Sequence, residues 1–160
     1  MAETQGLKLL LKEAAFFQGF DDATLDLIAP FVSNKLFDAD QYILRDGDGA
    51  DTFYVLRHGT VAIELAAPPR GRLVLQTLTE GDLLGWSWLV PPYRWSFDAR
   101  AVSLVRALAL DAKQLRALAE RDHDFGYLLS QRFIRVMAAR LTASRLQMLD
   151  LYAPTPVSTF

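Results

Sequence analysis

Residues 42–61, YILRDGDGADTFYVLRHGTV, decide the fold of this chain. Two apolar runs, YIL and FYVL, flank a turn rich in glycine and aspartate, and a further glycine, Gly59, stands two residues before the next apolar position. Short apolar runs separated by such residues predict β-strands joined by tight turns. We expect Gly47 and Gly59 to need a positive φ or a close backbone approach, and Asp48 and Asp51 to cap the turns.

The same pattern continues on both sides of this stretch. Seven short apolar runs predict strands, at 36–37, 42–44, 53–56, 61–65, 73–78, 97–101 and 104–110. Apolar residues at helical spacing predict four helices, at 4–15, 21–31, 111–121 and 124–149, with Asp21 and Asp111 as N-caps. Regularly spaced strands are typical of a sandwich or jelly-roll barrel. The predicted fold is therefore α+β: a double-stranded β-helix, or jelly-roll-like β-roll, with short N-terminal helices and two C-terminal helices, the last one long.

Composition is typical of a folded, soluble protein. The chain has 160 residues, of which 51% are hydrophobic and 22% charged, and its formal net charge is −2; this fits one globular domain. Its basic residues form no stripe of the kind that binds nucleic acid, and no apolar run approaches the ~20 residues of a membrane helix. We expect a cytoplasmic protein that binds neither nucleic acid nor a membrane.

The residues also argue against catalysis and against a metal site. The chain has no cysteine, and its two histidines, His58 and His123, fall in a predicted turn and just before the last helix. A metal site inside a barrel needs two or three histidines on inward strand positions. No serine stands in a recognisable nucleophile arrangement. We therefore expect no enzymatic activity and no metal.

The stretch 42–61 resembles the signature of cyclic nucleotide-binding domains, in which an apolar strand is followed by Gly-Asp, a small residue, an acid, an aromatic pair and then Gly-x-Val. The order of elements extends this resemblance over most of the chain, since Crp/Fnr-like effector domains such as that of the catabolite activator protein, kinase regulatory subunits and gated channels share it. The resemblance implies a regulatory domain in signal transduction over residues 1–150, with cAMP or cGMP as its ligand. Residues 151–160 are expected to form a flexible tail.

The resemblance also assigns a role to residues 81–101, GDLLGWSWLVPPYRWSFDARA. In the family this segment is a phosphate-binding cassette: backbone N–H groups and an arginine bind the cyclic phosphate, and a glutamate binds the ribose 2′-hydroxyl. Aligned on the spacing of the kinase subunits, Trp86 takes the place of the glutamate and Trp95 that of the arginine. An indole donates one N–H and carries no charge, so neither tryptophan can replace the missing contact.

Three interpretations of the cassette remain open. In the first, a modified pocket still binds a nucleotide through Arg94, while Asp98 pairs with Arg94 or Arg100. In the second, tryptophans fill the space of the ligand, because large aromatic side chains in a small barrel usually belong to the core. In the third, the pocket stays open for an apolar ligand, with Arg94 as its one charge. The candidate ligand-binding residues are Gly85, Trp86, Ser87, Trp88, Arg94, Trp95 and Ser96.

The helix at 124–149 is the predicted signalling surface. Apolar residues recur along it every seven positions, which predicts a parallel two-helix seam between protomers on one flank and packing on the chain's own barrel on the other. The seam residues are Tyr127, Ile134, Met137, Leu141 and Met148. The arginines of this helix, among them Arg140, are expected to be solvated.

Two functional hypotheses of different class follow. Because about ten residues follow Asp150, we expect no DNA-binding domain after the long helix. The first hypothesis is a sensor that acts through a homodimer or an unidentified protein partner, with altered or lost binding of cAMP and cGMP. The second is a ligand-free interaction module whose cassette is plugged by tryptophan.

Overall fold

The computed structural model describes residues 2–153, which form two layers of strands with helices at both ends of the chain. The elements in chain order are α1 (Ala2–Glu13), α2 (Asp22–Ile28), β1 (Val32–Phe37), β2 (Tyr42–Leu44), β3 (Thr52–His58), β4 (Val61–Ala66), β5 (Arg72–Leu78), β6 (Leu83–Leu84), β7 (Asp98–Ala101), β8 (Val105–Asp111), α3 (Ala112–Arg121) and α4 (His123–Tyr152). Short 3-10 turns occur at Ala15–Phe17, Ala29–Phe31 and Ser87–Leu89.

The strands form two antiparallel sheets of four, in the orders β1-β8-β3-β6 and β2-β7-β4-β5. In the first sheet β8 lies between β1 and β3, with Val32 opposite Leu110 and Thr52 opposite Asp111. In the second, β7 lies between β2 and β4. Strands from distant parts of the chain thus pair with one another, and the predicted α+β class and β-roll are confirmed.

The helices begin where aspartates can cap them. Asp21 accepts a hydrogen bond from the Thr24 amide (2.8 Å) and Asp111 from the Gln114 amide (3.0 Å), as predicted. Asp122 accepts one from the Phe125 amide (3.0 Å), so α4 starts at His123. Each carboxylate satisfies an amide that has no partner inside the helix.

The signature turns have the predicted backbone conformation. Gly47 has φ +86° and Gly59 has φ +92°, and a Cβ at Gly59 would overlap the carbonyl oxygen of Leu104. Capping by Asp48 and Asp51 is not observed: among residues 2–153 neither carboxylate accepts a turn amide, and that of Asp51 lies 3.4 Å from the Lys113 ammonium group. Backbone bonds close the turn after β2 instead, including the Asp48 amide to the Arg45 carbonyl (3.1 Å).

The boundary between α2 and β1 differs from the sequence prediction for a tertiary reason. The predicted helix at 21–31 ends at Ile28, and the strand predicted at 36–37 begins already at Val32, so Ser33 and Asn34 lie inside β1. They pair there with Ala109 and Leu108 of β8, and this pairing overrides their preference for turns. The two-residue strand β6, which pairs with β3, was not predicted.

Candidate ligand-binding cavity

Residues 81–101 start on a strand of the first sheet and end on a strand of the second. β6 pairs with β3 and leads into Gly85, which has φ +95°. The segment then turns through Ser87–Leu89 and returns along β7. Arg116 of α3 holds this turn, because its guanidinium donates to the Trp88 carbonyl (2.6 Å) and lies 4.1 Å from the centre of the Tyr93 ring. The cassette is therefore attached to both sheets and to α3.

Trp88 points into the core and is completely buried. Its ring stacks on Phe53 with centres 4.8 Å apart, and it meets Phe133 of α4 edge-on at 5.1 Å. Phe16 contacts Phe133 from the N-terminal side, again at 5.1 Å. We call Phe16, Phe53, Trp88 and Phe133 the aromatic cluster. Trp88 was predicted to contact a ligand; it is instead a core residue, because its apolar faces pack between rings from β3 and α4.

A cavity of about 580 Å³ lies beside the aromatic cluster, between the cassette, the second sheet and α4. Its wall is mostly apolar, with aliphatic side chains from β2, β4, β5 and α4. Five of the candidate residues line it, namely Gly85, Trp86, Ser87, Trp95 and Ser96. The space that the resemblance assigns to a ligand is therefore open in part, and tryptophan fills only its inner side.

Trp86 and Trp95 form the part of the wall nearest the cassette. Trp86 is half-buried, whereas Trp95 is 7% exposed and lies across Gly85. A Cβ at Gly85 would lie 2.6 Å from the Trp95 ring, so the indole occupies the space that the missing side chain leaves. Both indoles narrow the cavity without closing it.

Arg94 does not line this cavity. Its guanidinium donates to the Gly47 carbonyl (2.7 Å), and its backbone forms a bridge with Gly49. The neighbouring Trp95 amide donates to the Asp48 carbonyl (2.9 Å), so this part of the cassette runs along the turn after β2. That pairing directs Arg94 away from the pocket, and the predicted role of Arg94 as the charge of the pocket is wrong.

Asp98 lines the cavity and already has partners. Its carboxylate pairs with Arg72 (2.5 Å) and accepts the Asp46 amide (2.8 Å). The expected pairing with Arg94 or Arg100 is not found, because Arg100 pairs with the buried Glu64 at 2.8 Å. Burial raises the pKa of Asp98, but the bonds from Arg72 and from the Asp46 amide outweigh it and hold that pKa below the ordinary value.

Arg140 of α4 is the functional candidate that sequence reasoning missed. It was expected in solvent, but it is half-buried, lines the cavity and donates to the Leu83 carbonyl. Burial lowers the pKa of its guanidinium, against a weaker attraction from Asp82. The signal was the helical spacing: Phe133 precedes Arg140 by seven residues and lies on the face of α4 that packs against the roll.

The predicted seam residues lie on the neighbouring face of α4. Tyr127 is 70% exposed, and Ile134, Leu141 and Met148 are 53–54% exposed. Three other residues of α4 are buried against the chain's own roll, namely Phe125, Leu129 and Phe133. The helix therefore has one covered flank and one apolar flank that residues 2–153 leave uncovered. Ile134, Met137 and Leu141 also line the cavity.

The part of the chain that the structure describes contains no candidate metal site and no helix that could span a membrane. Both histidines are exposed, and no group of three or more His, Cys, Asp or Glu side chains among residues 2–153 could hold a metal ion. No helix in the same range is both long enough and apolar enough to cross a bilayer.

Comparison with known proteins gives concordant matches. The family model for the cyclic nucleotide-binding domain matches residues 34–122. A CRP-like cAMP-activated global transcriptional regulator of Mycobacterium tuberculosis is 24% identical over 143 residues, which cover 89% of this chain and 62% of that relative. This chain thus spans less than two thirds of the relative's length.

Solved structures agree on the fold. A cyclic nucleotide-binding domain from Methylobacillus flagellatus has a TM-score of 0.77 at 16% identity, and the match covers 96% of this chain and 86% of that one. The catabolite activator protein of Thermus thermophilus has a TM-score of 0.67 at 25% identity, covering 86% of this chain and 62% of that one. The resemblance predicted from residues 42–61 is therefore confirmed.

Proposed function

This chain belongs to the cyclic nucleotide-binding domain family, and from that premise we propose that it is a regulatory sensor domain with altered or lost recognition of cAMP and cGMP. In this proposal a small molecule enters the cavity and changes how α4 associates with a second chain. The observation that carries it is the cavity of about 580 Å³, a volume within the ~300–1,000 Å³ of small-molecule sites. The cassette and α4 line it together, so a bound molecule would contact both.

Altered nucleotide recognition is supported by the side chains that face the cavity. Trp86 and Trp95 stand where the family resemblance expects a glutamate and an arginine, and they supply neither a carboxylate nor a guanidinium. Arg94 is bonded to the Gly47 carbonyl. A hydrogen bond to a charged group contributes about 1.5–3 kcal/mol, so the loss of two weakens binding about 10²- to 10⁴-fold. The residues present do not fit a cyclic nucleotide bound in the manner of the family.

Coupling to a partner is supported by residues that belong to two surfaces. Ile134 and Leu141 line the cavity and are also positions of the seven-residue repeat on the uncovered flank of α4. A second copy packed on that flank would contact the side chains that a ligand contacts. A ligand that fits one packing arrangement better than another shifts the population between them. The proposed state is a cytoplasmic homodimer with a regulatory and not an enzymatic role.

The alternative function is a ligand-free interaction module, and a specific observation favours it. Trp88 fills the inner side of the cassette, and Trp95 covers Gly85, so aromatic rings already occupy part of the ligand space. In this function α4 still binds a partner, but nothing needs to enter the cavity. The two functions differ in whether the remaining volume takes up a molecule.

A neutral fluorescent probe, N-phenyl-1-naphthylamine, distinguishes them. We expect saturable binding of one probe per chain, lost in Ala138→Phe, because Ala138 lines the cavity from α4 and a phenyl ring there would fill it. Ala139→Phe is the matched control, since Ala139 is also exposed on α4 but does not line this cavity. Failure of the probe to bind, or binding unaffected by Ala138→Phe, would overturn the sensor in favour of the interaction module.

Calorimetric titration with cAMP and cGMP tests the altered recognition. We expect dissociation constants near the millimolar range, as the loss of two charged contacts requires. Micromolar binding of either nucleotide would contradict the proposal, whichever residues supply the contacts.

Light scattering tests the dimer. We expect a dimer at micromolar concentrations and a monomer for the double variant Ile134→Glu/Leu141→Glu, because two carboxylates would enter an apolar seam. The control is Glu120→Gln in α3, at an exposed position away from that flank. A monomeric wild-type chain would refute the homodimer.

A further inference from the structure

The cavity has a positive charge without a carboxylate partner. Arg140 is the one basic side chain in the wall, among the residues that the structure describes. Its guanidinium donates to the Leu83 carbonyl, and none of the ion pairs within residues 2–153 includes it. Asp82 is the acidic residue that attracts it, but the Asp82 carboxylate is exposed and accepts the Thr79 amide (2.8 Å).

The one acidic residue of the wall does not neutralise Arg140. Asp98 pairs at 2.5 Å with Arg72, which lies outside the wall, and it also accepts the Asp46 amide. Asp98 is thus neutralised by an arginine behind the wall, and among residues 2–153 Arg140 is the charged residue of the wall that has no ion-pair partner. The cavity is thus apolar over most of its surface and cationic at one point.

A half-buried cation beside apolar surface favours a particular kind of ligand. An arginine has five N–H donors in a planar fork that matches a carboxylate or a sulfonate. Ser144 lies one helical turn beyond Arg140 and also lines the cavity, so its hydroxyl can donate from the same face of α4. Opposite them, Trp86 and Ile63 offer apolar surface.

We propose that the ligand of this cavity is an amphipathic organic anion, whose carboxylate or sulfonate binds the Arg140 guanidinium while its apolar body packs against Trp86, Ile63 and Leu141. This inference rests on the proposed sensor function and specifies its ligand class. The anionic group binds α4, the helix with the uncovered flank, so ligand binding and partner binding act on the same element. An anion here also neutralises a charge that burial makes costly.

The test compares two probes that share one skeleton. 8-Anilinonaphthalene-1-sulfonate is N-phenyl-1-naphthylamine with a sulfonate added, so the difference in affinity between them reports the charge. Calorimetry measures both affinities in the full chain. We expect the sulfonate to bind at least about tenfold more tightly than the neutral probe, because a hydrogen bond to a charged group is worth about ten- to a hundredfold.

Arg140→Gln is the decisive variant. We expect it to weaken sulfonate binding at least about tenfold and to change neutral-probe binding by less than about twofold. Arg140→Lys keeps the positive charge, so we expect it to reduce the affinity for the sulfonate less than Arg140→Gln does. Arg132→Gln is the matched control, because Arg132 also donates from α4 to a backbone carbonyl, that of Gln18, but does not line this cavity. It should leave both affinities unchanged.

The outcomes separate the inference from the proposed function. Equal affinities for the two probes, or an equal loss of both in Arg140→Gln, would overturn the anionic ligand and leave the sensor intact. Sulfonate binding that persists in Ala138→Phe would place the anion outside the cavity and would also overturn the inference. If neither probe binds, the sensor function itself fails.

Discussion

The cassette and α4 meet in two neighbouring regions that are filled in different ways. In the aromatic cluster, Trp88 from the cassette and Phe133 from α4 pack with Phe53 at centre distances of 4.8–5.3 Å. Beside it, Trp86 and Ile134 from the same two segments line an open cavity of about 580 Å³. Close packing in the first region holds the segments in place, and this allows the second region to stay open without loss of the fold.

The two regions are separated by small changes in backbone direction. Trp86 and Trp88 are two residues apart, but the 3-10 turn at Ser87–Leu89 directs Trp88 into the core while Trp86 lines the cavity. Phe133 and Ile134 are adjacent on α4, and helical rotation places them on different faces. In each segment, therefore, one residue packs in the core (Trp88, Phe133) and a residue close to it in sequence lines the cavity (Trp86, Ile134).

The largest expected effect on stability comes from a substitution in the aromatic cluster. Trp88→Ala removes the ring between Phe53 and Phe133, and we expect the free energy of unfolding to fall by about 3–5 kcal/mol because a cavity remains. The matched change is Trp86→Ala, which removes a half-buried ring at the open cavity and should cost less than half as much. Urea denaturation monitored by circular dichroism measures both. Equal losses would mean that the two regions do not differ in packing.

An intermediate effect tests the boundary between the regions. Gly85→Ala places a Cβ 2.6 Å from the Trp95 ring at φ +95°, so we expect a loss of about 2–4 kcal/mol in unfolding free energy from strain and overpacking together. Gly81→Ala is the control, because φ is +88° there but nothing lies within 4 Å of the added Cβ. It should show the strain alone, about 1–2 kcal/mol. Equal losses would show that Trp95 moves freely and is not a fixed wall of the cavity.

The smallest effect concerns the charges of the cavity wall. The pKa of Asp98 lies below its ordinary value of about 3.9, so Asp98 contributes stability above that pH and loses it as the pH falls through the folded pKa. Urea unfolding should therefore be measured from about pH 5 to pH 2. We expect the free energy of unfolding to decrease less with falling pH in Asp98→Asn than in the wild type. Arg72→Gln should flatten the profile in the same direction, since it removes the partner. An unchanged profile in both variants would contradict the pairing.

Part of the site could be predicted from the sequence because it depends on local requirements. Gly47 and Gly59 stand where turns need a positive φ, and Asp21 and Asp111 stand where helix amides need acceptors. The position of Trp86 at the cavity also follows from alignment with the family cassette. The turns and the helix caps depend on residues within a few positions of one another, and a single sequence displays them directly.

The direction of other side chains depends on distant partners. Arg94 was a candidate for the pocket, but its segment pairs with the turn after β2, and the guanidinium bonds to the Gly47 carbonyl. Arg140 was expected in solvent, but α4 lies against the cassette, and the guanidinium reaches the Leu83 carbonyl. Both contacts join residues more than forty positions apart. Spacing along α4 indicates which face of the helix Arg140 lies on, but it does not indicate which distant carbonyl either arginine reaches.

The sequence by itself determined the β-roll, its turns and its helices, because hydrophobic periodicity and backbone conformation are set by residues close together in the chain. Only the tertiary structure decided that Trp88 fills the core and that a cavity lined by Arg140 remains beside it. The reason is physical: a cavity is the volume that side chains from distant segments leave between them. That volume depends on how the cassette, the second sheet and α4 pack together.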